Sequence, residues 1–130
     1  MKEPTWLTKK LVLTLHAESL DRFGGTPGLR DAGLLESALN RPRNRYAYGS
    51  DPSLFELAAA YCYGIVQNHP FVDGNKRAGL LAARAFLFRN GYHFFPDEAE
   101  AVTVPEDVAA GSVSEAELAQ WLKANSESRS

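Results

Sequence analysis

Residues 51–90 read DPSLFELAAAYCYGIVQNHPFVDGNKRAGLLAARAFLFRN, and the fold follows from how this stretch is parsed. Asp51-Pro52 sets a cap residue ahead of a proline in a first helical turn. Phe55, Ala58, Tyr61, Cys62, Ile65 and Val66 then recur at helical spacing. That pattern ends near Asn68, because Pro70 disfavours helix at the residue before it. After a short loop a second long helix begins near Asn75 and carries Ala78, Leu81, Ala82, Ala85 and Phe86. Asn90-Gly91 supplies its stop.

Helical periodicity continues on both sides. Upstream, Leu11, Val12, Leu15, Ser19, Leu20 and Phe23 form an apolar stripe that Gly24-Gly25 terminates. Asp31 caps a helix through Leu34, Leu35, Ala38 and Leu39, which is expected to end at Pro42. The sole strand candidate is the segment 43–48, a small β-hairpin or flap. Downstream, Phe94 and Phe95 lie in an extended link, and a helix from Glu98 to Ala110 contains Pro105, which kinks or splits it. Ser114 and Glu117 form a capping box ahead of Leu118, Trp121 and Leu122. Residues 1–5 and 125–130 are expected to fray. The pattern predicts an all-α, compact single-domain bundle of about six helices spanning residues 1–130.

The composition narrows the function classes. With 130 residues and a formal net charge of -2, the chain is not built to coat nucleic acid or a membrane by charge alone. One cysteine, Cys62, excludes an intramolecular disulfide and the usual zinc spacings; it reads as a small buried hydrophobe. Lys9-Lys10 ahead of Leu11 to Leu15 imitates a signal peptide, but His16, Glu18 and Asp21 end the apolar run at once. No stretch approaches a transmembrane length, so a cytoplasmic location is expected.

The loop between the two long helices, His69-Pro70-Phe71-Val72-Asp73-Gly74-Asn75-Lys76-Arg77, concentrates chemistry. Gly74 permits a backbone turn that lets N–H groups converge on an anion. Asn75, Lys76 and Arg77 open a helix, where the dipole and unpaired N–H groups already favour phosphate. Lysine and arginine oppose that dipole, so an anionic ligand is the natural compensation. Lys76 brings a point charge and Arg77 a planar fork. Asp73 is a hard carboxylate suited to magnesium bridging substrate phosphates. His69 can take a proton from an attacking hydroxyl. Phe71 and Val72 are expected to point into the core. A base, a metal ligand and a phosphate clamp are what phosphoryl or nucleotidyl transfer requires.

These nine residues resemble the signature of the Fic/Doc family, His-x-Phe-x-Asp/Glu-Gly/Ala-Asn-Gly/Lys-Arg. Gly24 to Asp31 and Leu35 to Leu39 look like the N-terminal part of its Doc (death-on-curing) toxins, and the likeness covers about Leu7 to Lys123. The resemblance implies a compact helical domain with His69 as base and Asp73 positioning Mg2+. It also implies Gly74, Asn75, Lys76 and Arg77 holding the phosphates of ATP. It implies the toxin of a toxin–antitoxin pair, moving the γ-phosphate to a hydroxyl of a protein such as elongation factor Tu. Where Fic enzymes that transfer AMP have glycine, this chain has Lys76; where they carry a second arginine, it has Leu80. AMP transfer and a catalytically silent binding module are the competing readings. Self-restrained Fic proteins carry a glutamate followed by glycine or asparagine. No glutamate here is so followed, which points to a separate antitoxin.

Other residues carry less. Arg43, Arg45 and Tyr46 suit either a flap docking a protein target or antitoxin, or a solvated loop. Tyr61 and Tyr63 read as packing residues. His16 and His93 belong to no motif and read as half-buried or surface histidines. Arg84 suits a surface ion pair.

Overall fold

The computed structural model describes residues 2–129. Six helices and two short strands make up the described chain: α1 Lys9–Phe23, α2 Ala32–Tyr48, α3 Leu54–Asn68, α4 Asn75–Arg89, β1 Tyr92–Phe94, α5 Glu98–Ala110, α6 Glu115–Ala124 and β2 Ser126–Ser128. No helix among these residues is long and apolar enough to cross a membrane.

The bundle is organised around α3. Its run Leu57 to Cys62 is fully buried, so every face of this helix meets another element. Small residues let the neighbours close in. A Cβ on Gly79 of α4 would stand 3.0 Å from the carbonyl oxygen of Cys62 and from Val66 Cγ2. A Cβ on Gly64 would stand 3.3 Å from the carbonyl oxygen of Ala38 in α2. Tyr61, Phe86, Leu87, Leu118 and Leu122 fill the space between, and the Tyr61 hydroxyl accepts a 3.0 Å bond from the Leu7 N–H. Cys62 lies at the centre of this core, where burial pushes its thiol up to about 12.

Several expected boundaries move, each for a physical reason. α3 is capped by Ser53, whose side chain accepts from the Glu56 N–H while Glu56 returns the bond in a capping box. That reciprocal pair wins over Asp51-Pro52, and Asp51 instead turns with φ 53°. α2 does not stop at Pro42, and residues 43–48 are helix, not a hairpin or flap. Pro42 denies Ala38 its helical donor, a cost of about 3 kcal/mol in a helix interior. The extra turns offset it: Arg45 bridges to Glu56 at 2.8 Å and Glu115 at 3.4 Å, and Tyr46 packs edge-on to Trp6. Pro105 likewise stays inside an unbroken α5.

The tail is paired. β2 runs antiparallel to β1, with His93 opposite Glu127, and Arg129 donates to the Phe88 carbonyl. β1 is Tyr-His-Phe and β2 is Ser-Glu-Ser; three residues are too few to show an alternation, so neither strand is visible as a pattern. At the other end the Thr5 N–H donates to Asn90 Oδ1 at 2.8 Å.

Candidate active site

The loop 69–74 runs from the C-terminus of α3 to the N-terminus of α4, and three separate supports hold it. His69 is the C-cap of α3, in left-handed backbone with φ 53° and ψ 54°. A non-glycine residue in that region is uncommon, and such strain clusters at functional sites. The main chain is clamped in place: Arg30 donates from Nε to the His69 carbonyl at 2.7 Å and from Nη2 to the Asn68 carbonyl at 3.0 Å. The imidazole of His69 is exposed and has no hydrogen-bond partner among the described residues.

The second support is internal. Asn75 is buried, and its amide spans the loop: Oδ1 accepts from the Phe71 N–H and Nδ2 donates to the Phe71 carbonyl, both at 2.9 Å. The side chain is therefore a latch on the loop. Replacing Asn75 with alanine strands both Phe71 groups, at roughly 2–4 kcal/mol in total. A thermal melt checks this; an unchanged midpoint would show that the latch is dispensable.

The third support comes from outside. The segment 26–31 lies along the loop, with Leu29 bridged to Phe71 and the Val72 N–H donating to the Gly28 carbonyl. From α1, His16 reaches the Asp73 carbonyl with Nε2 at 2.7 Å, and its ring stacks on Phe71 at 3.7 Å. Phe71 points into the core as expected, whereas Val72 is exposed.

Asp73 is held at the mouth of this arrangement. Its Oδ2 accepts from the Thr26 N–H at 3.0 Å and its Oδ1 from the Gly74 N–H at 2.8 Å. Those two bonds hold its carboxyl below the ordinary 3.8 against the opposing effect of desolvation, with smaller help from the nearby His16 and Arg77 charges. Its stabilising contribution is therefore present above 3.8 and lost as pH falls through the lower folded value. Acid melts of wild type and Asp73→Asn should differ by a constant amount at higher pH and converge below that window. A gap that persists into strong acid would assign the effect to something other than this carboxylate.

α4 starts without a side-chain cap. Gly74 is its N-cap, with φ 77°, a left-handed turn that suits glycine. The N–H groups of Asn75, Lys76 and Arg77 have no partner among the described residues. Lys76 is exposed and makes no ion pair there. Arg77 lays its guanidinium over the Phe23 ring, 4.2 Å from the centroid. Exposed Asp73 is a hard, ionised carboxylate of the kind that suits magnesium, and it would hold such an ion as a single protein ligand. An ion there would be completed by phosphates and water, the habit of magnesium.

The sequence reading missed three participants: His16, Thr26 and Arg30. None belongs to the loop, and all three act through or upon main-chain atoms that no motif records. Arg43, Arg45 and Tyr46 are not part of the site. Arg45 pairs with Glu56 at the far end of α3, about 20 Å away at 1.5 Å per residue, and Arg43 lies over Trp6. Leu80 packs against the core, and exposed Arg84 has no ion pair among the described residues.

The central helix pair and its strapped connecting loop define a helical protein of the Fic class. The sequence matches the Fic/DOC family over residues 6–87, which includes α1 to α3, the whole loop and all but the last two residues of α4, and the chain belongs to that family. It is 36% identical to "Protein kinase doc" of Escherichia phage P1 over 112 residues, covering 86% of this chain and 88% of that one. It is 44% identical to "Toxin Doc" of Mycolicibacterium smegmatis over 77 residues, 58% of each chain. A Fido domain-containing protein of Dictyostelium discoideum is 35% identical over 69 residues, 53% of this chain and 47% of that one.

Proposed function

We propose that the chain is a Doc-type toxin that moves the terminal phosphate of ATP to a hydroxyl of a protein target and is restrained by a separate antitoxin. The observation that carries this reading is the uncapped start of α4. Three unpaired N–H groups, Lys76 and Arg77 stand one turn from ionised Asp73, on the loop that exposes His69. Such a start binds phosphate oxygens through aligned N–H groups and the helix dipole.

The steps follow from these residues. Arg77 and the α4 N–H groups bind the polyphosphate and fix its direction. His69 takes the proton of the target hydroxyl as its oxygen bonds to the γ phosphorus. The bond from that phosphorus to the β–γ bridging oxygen breaks, and ADP leaves. Asp73 would hold Mg2+, which would supply charge neutralisation on the phosphate oxygens.

The relatives support the choice: one is named a protein kinase and another a toxin. Lys76 in place of glycine and Leu80 in place of a second arginine favour phosphate over AMP transfer. The family resemblance favours a translation factor such as elongation factor Tu as target, and with it a cytoplasmic site of action. Chromatography of the spent nucleotide tests the reaction: target-dependent ADP is expected. Pyrophosphate in its place would assign the chain to AMP transfer.

A further inference from the structure

We propose that His16 is a positioning residue for Asp73, and through it for the magnesium-bearing end of the nucleotide; this rests on the reading of Asp73 as the metal ligand. A carbonyl oxygen can only accept, so Nε2 of His16 donates the 2.7 Å bond to the Asp73 main chain. The orientation of that donor is set by its stack on Phe71, nearly parallel at 10°. Phe71 is itself locked by Asn75 on both main-chain atoms. His16 is 5% exposed, so its bond is shielded from competing water.

One turn further along α1, Leu20 completes the floor. A Cβ on Gly74 would lie 3.4 Å from Leu20 Cδ2 and 3.6 Å from His16 Nε2, so the turn 73–74 rests on both side chains. A Cβ on Gly25 would lie 2.7 Å from Leu20 Cδ2 and 3.0 Å from Asp73 Oδ2. Thr26 and Gly74 bond the carboxylate, whereas His16 bonds the Asp73 main chain. His16 is the side chain from outside the loop that anchors it. Outer groups of this kind change metal affinity or activity about ten- to a hundred-fold when removed.

The test reads Mg2+ dependence in the full chain with a fluorescent ATP analogue, scoring nucleotide binding and not turnover. His16→Phe keeps an aromatic ring on Phe71 and removes the donor; His16→Gln keeps a donor without the ring. The Mg2+ concentration for half-maximal binding should rise about ten-fold or more in His16→Phe and return most of the way in His16→Gln. A His16→Phe chain with a lowered melting midpoint but the wild-type Mg2+ requirement makes His16 merely structural and overturns the proposal. Should that variant not fold, His16→Met against His16→Gln decides by the same separation, and equal midpoints overturn it. A wild-type chain whose nucleotide binding ignores Mg2+ removes the Asp73 reading and this proposal together. Mg2+-dependent binding without any phosphate transfer would defeat the proposed function and leave His16 in place.

Discussion

Replacing His69 with alanine should abolish transfer while leaving the fold intact. A positioned general base contributes roughly a hundred- to ten-thousand-fold, so residual activity should sit at or below detection. The fold survives because the imidazole is exposed and bonds to nothing else described, while the contacts of this residue with Arg30 and Ile65 are made by its backbone. Its left-handed φ of 53° is the one structural complication. His69→Gly resolves it, since glycine accepts that backbone freely and should melt no lower than wild type. Both variants should be inactive and, when expressed alone, harmless to growth. Undiminished growth arrest by a well-expressed His69→Ala chain would sink the proposed mechanism.

The second large effect is expected at Lys76. A base and a magnesium ligand do not select the phosphorus; the direction of the nucleotide does, because the hydroxyl must lie in line with the leaving oxygen. With glycine at this position the start of α4 is open and accepts the β and γ phosphates, which exposes the α phosphorus to His69. Lysine fills part of that space and favours the reversed pose that presents the γ phosphorus. Lys76→Gly should therefore lose most phosphate transfer. The substitution costs about 1 kcal/mol of helix stability at most, which a melt separates from the kinetic effect. Leu80, packed on the core where AMP-transferring relatives have a second arginine, works against conversion of the variant to AMP transfer. Wild-type rates from Lys76→Gly would remove this residue from the choice of reaction.

How much of this was legible in the sequence depends on what carried the signal. α3 and α4 were legible because each combines an apolar period with a stop, and α6 because Ser114 and Glu117 spell out their cap. The continuation of α2 past Pro42 was not, since the compensation comes from Glu56 and Glu115 on other helices. The strands at 92–94 and 126–128 were hidden because three residues are too few to carry a period. Within the candidate site, the placing of His69 and Asp73 on one loop ahead of α4 was readable from the sequence. The latch role of Asn75 was not, because its partners are the main-chain atoms of Phe71. His16 stood more than fifty residues from the loop it supports, and only the close approach of α1 brings it to Asp73.

The origin of the transferred group tests the central claim most directly. Purified chain is incubated with its target, or with cell extract, and ATP labelled at either the α or the γ phosphate. Label from the γ position alone should appear in the modified protein, with mass spectrometry showing one added phosphate. Label retained from the α position, with an added adenylate on the target, would contradict the account.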